Sequence, residues 1–105
     1  DRSKFFVARV TGESAPSWAD DEASLEELRA RIEKALDYLK GFGPDRLDGL
    51  EQKPVTIKMR GEDVQVAAVD YLFDNVYPNF FFHVTTAYDI LRHNGVPLGK
   101  RDFVG

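Results

Sequence analysis

Between Val69 and Asn94 the chain places Tyr71, Phe73, Tyr77, Phe80, Phe81, Phe82 and Tyr88 around almost the whole circumference of a helix. A helix that is apolar on several faces has to be covered on several sides, so this stretch belongs at the centre of a helical assembly. Pro78 interrupts it. Because a proline removes one helical hydrogen bond and clashes with the carbonyl four residues back, here that of Asp74, a bent helix is expected, with the bend just before Pro78. The run "HNGVP" supplies the stop, with Gly95 in the left-handed position and Pro97 preventing continuation. The tail "LGKRDFVG" reads as extended, with Phe103 packing back.

A second helix is written just as clearly. Ser24 and Glu27 have the spacing of a capping box, and Leu25, Leu28, Ile32, Ala35, Leu36 and Leu39 then recur at helical intervals as far as Lys40. Glu27 and Arg31 are placed to pair one turn apart. Gly41, Gly43 and Pro44 end the element, and a short helical turn is expected at Asp45 to Leu47. Upstream, "DRSKFFVARVTG" puts Phe6, Val7 and Val10 on one face and closes at Gly12, which reads as the last turns of a helix whose earlier part is missing. The segment "ESAPSWADDEA" is a connection, in which Trp18 is expected to lid one end of the core and Asp20, Asp21 and Glu22 to form a solvated acidic run.

Between the helices the period changes. Val55, Ile57 and Met59 alternate with Thr56 and Lys58, and Val64 and Val66 alternate after the turn "RGED", which predicts a two-stranded hairpin. A lone hairpin is marginal in water, so its apolar face must lie on a helix.

The bulk properties narrow the function classes. A length of 105 residues with 43% hydrophobic and 30% charged residues fits a single soluble domain, taken as residues 1–105. Net charge is -4, and the 14 Lys and Arg residues are scattered, so no basic face is available to displace counterions from nucleic acid. Cysteine is absent, which excludes disulfides, thiolate catalysis and cysteine-ligated zinc and favours a reducing compartment. No apolar run is long enough to cross a membrane and no signal peptide is visible, so a cytoplasmic location is expected.

One constellation carries chemistry. Asn79, His83 and Thr86 follow at i, i+4 and i+7 and so stack along one side of the last helix, at the edge of the core or within it. A neutral histidine binds zinc through either ring nitrogen, but a catalytic zinc site usually needs three protein ligands, and Asn79 is a weak one. Three readings stay open for His83: a hydrogen-bonded buried histidine, a wall of a small-molecule pocket, or a metal ligand completed by Asp70, Asp74 or a residue upstream of Asp1. His93, next to the helix end, is read as a partner of the terminal carbonyls. No phosphate-binding glycine loop, Ser-His-Asp arrangement or catalytic carboxylate pair is present.

The stretch "YPNFFFHVTTAYDILRHNGVPLGKRDFVG", together with "PSWADDEASLEELRARIEKALDYL" and the hairpin, resembles an uncharacterised bacterial family of unknown function within the DinB and YfiT-like four-helix-bundle superfamily. The resemblance implies a mainly α fold: a DinB-like up-and-down bundle, here its C-terminal part with the first helix missing, and a short β-hairpin before the last, Pro-kinked helix. DinB-like relatives bind a divalent metal through a histidine on the second helix and a H-x-x-x-H pair on the last. By its distance from the terminal glycine that pair falls on Asn79 and His83, so the first histidine is replaced. The resemblance thus implies a degenerate pocket around Asn79, His83 and Thr86, without a cofactor. Two alternatives remain: a transferase or hydrolase using a divalent metal such as zinc or nickel with His83 as ligand, and a homodimer module burying Tyr77, Phe81 and Tyr88.

Overall fold

The chain is described over residues 1–105 by a computed structural model. In order it forms α1 (Arg2–Thr11), α2 (Leu25–Lys40), α3 (Pro44–Leu47), β1 (Pro54–Met59), β2 (Glu62–Ala67), α4 (Ala68–Tyr71), a π-helical segment (Leu72–Val76), α5 (Tyr77–His93) and α6 (Lys100–Val104). It is mainly helical, with one antiparallel two-stranded sheet. No helix is long and apolar enough to cross a membrane.

The core is small and sits where α1, the hairpin and the α4 to π segment meet. Val10, Val55, Ile57, Ala68, Tyr71 and Val76 are buried there, with Phe6, Leu47, Leu50, Val66 and Leu72 packed against them. The hairpin register pairs Val55 with Val66 and Ile57 with Val64, so all four side chains fall on one face, as their alternation requires. Its turn places Arg60 at φ 51° and Gly61 at φ 91°, the two positive values that a tight two-residue hairpin turn uses. Backbone bonds from Ala68 N–H to the Lys53 carbonyl and from Val69 N–H to the Glu51 carbonyl tie the start of α4 to the loop before β1.

Helix ends follow the sequence closely, with two exceptions. Gly12 adopts φ 85° and donates to the Ala8 carbonyl, closing α1, and Ser24 Oγ accepts the Glu27 N–H at the start of α2. The tail is helical over α6 instead of extended, because the Asp102 carboxylate accepts the Gly99 N–H at 2.7 Å and nucleates a turn. Phe103 does pack back, edge-on to Tyr88 with ring centres 5.9 Å apart. At the other exception, His93 makes no capping bond; Asn94 does so, donating from its carboxamide to the Ile90 carbonyl at 2.8 Å.

Just before Pro78 the helix takes the form of a π turn. The Tyr77 N–H reaches the Leu72 carbonyl five residues back, which widens the helix just where Pro78 has no N–H to offer.

The helices are not closed around one another. Only 9 of 105 residues are buried, and the radius of gyration is 15.9 Å, against roughly 13 Å for a compact domain of this length. Accessible surface is 8024 Å², against roughly 6,000 Å² for a folded monomer of this mass. The excess lies on α2 and α5. Neither helix has a buried residue, and Leu25, Leu28, Ile32 and Leu36 form an open apolar stripe on α2.

Candidate functional site

The polar column lies on α5 as its spacing requires, but it is not enclosed. Asn79 is half-buried, while His83 and Thr86 are exposed, so the imidazole does not point into a core formed by this chain. The reason is that no element of the chain covers that side of α5. His83 lies against Phe82, ring centres 5.4 Å apart, and has no hydrogen-bond partner among its neighbours. The Asn79 carboxamide oxygen is shielded from solvent yet accepts no hydrogen bond from the protein. A buried acceptor left in that state costs about 1–3 kcal/mol, so Asn79 is the member of the column that calls for a donor.

The donor set does not fit a metal by itself. The chain brings together no group of three or more His, Cys, Asp and Glu side chains able to hold an ion. Asp70 and Asp74 instead face the hairpin, lining a cavity of about 200 Å³ with Ile57, Met59 and Tyr71.

The aromatic residues divide in a way their spacing conceals. Tyr71 is buried, packed on Phe6 with ring centres 6.1 Å apart and accepting a hydrogen bond from Arg9 through its hydroxyl. Phe73, Tyr77, Phe80, Phe81 and Phe82 are exposed; Phe73, Tyr77 and Phe81 form a ladder with centres 5.6 and 6.1 Å apart, and Tyr77, Phe80 and Phe81 also line a cavity with Phe6 and Val7 of α1. The expectation that most of them are core fails within this chain for the same reason that His83 is exposed: no element of the chain packs over that side of α5.

Two features had no signal in the sequence. One is a pair of apolar cavities beside α1, of about 230 and 280 Å³, that share Phe6 and Leu72. The other is a cationic cluster on Trp18, beside a more polar cavity of about 480 Å³. Lys4 Nζ stands 4.1 Å, Lys34 Nζ 4.8 Å and the Arg31 guanidinium 5.1 Å from the indole centre. Lys4 is only 2% exposed and donates to the Pro16 carbonyl at 2.8 Å. Burial, assisted by Arg31 and opposed by Asp20, holds its pKa below the ordinary lysine value. Trp18 thus does not lid the central core; it packs edge-on to Tyr38 and joins the loop to α2.

This arrangement, mainly helical with one hairpin inserted before a π-bent last helix, is that of a DinB-like protein. A crystal structure described as a DinB family member protein from Shewanella denitrificans superposes with a TM-score of 0.88 at 40% sequence identity, covering 100% of this chain and 60% of that one. The chain belongs to the family described as domain of unknown function DUF1993, which it matches over residues 1–104. No curated protein matches it. The chain spans about 60% of the length of its solved relative.

Proposed function

We propose that this chain acts as part of a four-helix, up-and-down DinB-like bundle, in which further helices cover α2 and α5 and enclose Asn79, His83 and Thr86 as a small polar pocket without a full metal-ligand set. The observation that carries this reading is the open apolar stripe of α2 together with the exposed aromatic side chains of α5. Leu25 is 76% and Ile32 59% exposed, although both sit on the stripe that sequence periodicity assigns to a core. The surplus of roughly 2,000 Å² over a folded monomer of this mass is the area that a substantial protein interface buries. A relative with two fifths of its chain outside the match has the material to bury it.

In such a bundle Asn79 would find a hydrogen-bond donor on a covering helix or on a small molecule, and His83 would lose its contact with water. The pocket's chemistry would then be recognition by one imidazole, one carboxamide and one hydroxyl, with no metal-bound water as nucleophile. The test is a chain extended to the length of the relative. Slowed amide exchange across α2 and α5, with less than stoichiometric zinc or nickel by elemental analysis, is expected. Tightly held stoichiometric metal that disappears in His83→Ala would instead establish the metal-dependent transferase or hydrolase. A second reading has its own observation: Tyr77 and Phe81 are exposed side by side on α5, so a second copy could cover them. Sedimentation of the extended chain as a monomer at micromolar concentration removes that homodimer.

A further inference from the structure

On the side of α2 away from its open apolar stripe, Glu27, Ala30, Arg31 and Lys34 follow at i, i+3, i+4 and i+7 and line the polar cavity of about 480 Å³ beside Trp18. The loop around Trp18 lines the rest of it. That volume falls within the roughly 300–1,000 Å³ of small-molecule sites. The loop is fixed on both sides of the tryptophan, since the Pro16 carbonyl accepts from Lys4 at 2.8 Å and the Ala19 carbonyl from Arg31 at 2.6 Å. Tyr38 supports the ring edge-on, with centres 6.2 Å apart. The indole is therefore in place before a ligand arrives.

The charges that line the cavity differ in how far they are committed. Arg31 is taken by Glu22 at 2.8 Å, with Asp1 at 3.0 Å and Asp20 at 2.9 Å as further partners. One Glu27 oxygen accepts the Ala23 N–H. Two full charges of opposite sign are left. Asp21 is in no ion pair, and the Lys34 ammonium, 4.8 Å from the indole centre, is in none either. Both line the same cavity, yet they do not pair with each other.

We infer that this cavity takes a small zwitterion, a free α-amino acid with an aromatic side chain, its ammonium against Asp21, its carboxylate against Lys34 and its ring on Trp18. A simple anion of the same size brings its charge to Asp21, and a simple cation brings its charge to Lys34, so each meets repulsion on one side. A bare metal ion has no seat, because Asp21, Glu22 and Glu27 do not converge on one point. The indole face favours a second aromatic ring over a small aliphatic group. The site is separate from Asn79, His83 and Thr86, and covering the α2 stripe leaves it open.

Trp18 is the single tryptophan of the chain, so its emission reads the site directly. Free L-phenylalanine titrated into the chain is expected to change that emission along a saturating curve in the millimolar range. N-acetyl-L-phenylalanine, which lacks the ammonium, and L-phenylalaninamide, which lacks the carboxylate, are each expected to bind about fivefold more weakly, the ceiling for one exposed ion pair. Asp21→Asn should abolish the preference for phenylalanine over the acetylated compound and keep that over the amide, and Lys34→Gln should do the reverse. Both residues are exposed and unpaired, so the variants keep the fold. Absence of saturation at any soluble concentration overturns the assignment. Equal binding of the three compounds also overturns it, since stacking on the indole would then be the whole interaction. Preferences that survive both variants place the charge recognition elsewhere and overturn it as well.

Discussion

Arg31 and Trp18 hold the long loop and α2 together: the guanidinium lies 5.1 Å from the indole centre while its nitrogens donate to the Ala19 carbonyl at 2.6 Å and to the Glu22 carboxylate at 2.8 Å. Asp1 and Asp20 complete the set at 3.0 and 2.9 Å. Isolated surface ion pairs contribute little, but a guanidinium 16% exposed with four acceptors and an aromatic face is a network. Arg31→Ala is expected to destabilise the chain by about 2 kcal/mol, with Trp18 emission moving to the red as the loop comes away. Arg31→Lys is expected to recover less than half of this, since an ammonium cannot reach four acceptors in a plane. Thermal unfolding and fluorescence of the two variants check it, and an unshifted emission in Arg31→Ala would show that the loop is held elsewhere.

Glu27 gives a pH dependence of known sign. Its carboxylate accepts the Ala23 N–H at 2.7 Å while its own N–H donates to Ser24 Oγ at 3.2 Å. The bond from Ala23, with help from Ser24, holds the carboxyl pKa below its ordinary value of 4.5. A folded-state pKa that is depressed contributes stability that is complete above the unfolded value and lost as pH falls through the folded one. Stability is therefore expected to decline below about pH 4.5. In Glu27→Gln that part of the decline should vanish. Denaturant midpoints measured every half pH unit from acid to neutral, wild type against variant, decide this, and parallel curves would count against it.

The same residues show what the chain's chemistry announced and what it hid. The capping box at Ser24, the end of α2 at Lys40, the hairpin and the position of the last helix all follow from local rules: caps, periods of two and 3.6, glycine and proline. The Glu27 to Arg31 pair did not form, although its spacing is right, because the capping bond uses the Glu27 carboxylate and Trp18 draws Arg31 toward the loop. No local pattern reports that a residue such as Ala19, far along a loop, will supply a carbonyl. Likewise the aromatic girdle of α5 predicts a central helix, yet no residue of α5 is buried, because the spacing could not say which neighbours this chain itself provides. His83 follows from that: its face of α5 is defined by the sequence, whereas its exposure depends on which elements of the chain pack there, and none does.

The hairpin turn stores a small, removable strain. Arg60 sits at φ 51°, a left-handed conformation that costs a branched or long side chain roughly 1 kcal/mol and that Asn or Gly tolerates. Arg60→Asn is expected to raise stability by about 0.5–1 kcal/mol. Gly61, at φ 91° with open space where a side chain would stand, should lose about 1 kcal/mol or more as Gly61→Ala, from backbone strain alone. Urea midpoints of the two variants should move in opposite directions. Movement in the same direction would mean that the turn relaxes out of this geometry.

Two isoleucines mark the contrast between the buried core and the open stripe of α2: Ile57 is 7% exposed and Ile32 59%. Ile57, buried on β1 against Val10 and Tyr71, should cost about 3 kcal/mol as Ile57→Ala, because the cavity left there is walled by the hairpin and α4 and cannot collapse. Ile32 points from the middle of α2 into water, so Ile32→Lys removes no packing and is expected to change the stability of the 105-residue chain by less than about 0.5 kcal/mol. In a chain extended to the length of the DinB relative the second substitution should no longer be silent, since burying an unpaired ammonium under a covering helix costs several kcal/mol. Urea unfolding of both variants, in the short and the extended chain, provides the four numbers. If Ile32→Lys stays neutral in the extended chain, the α2 stripe faces solvent there too, and the bundle reading loses the observation on which it stands.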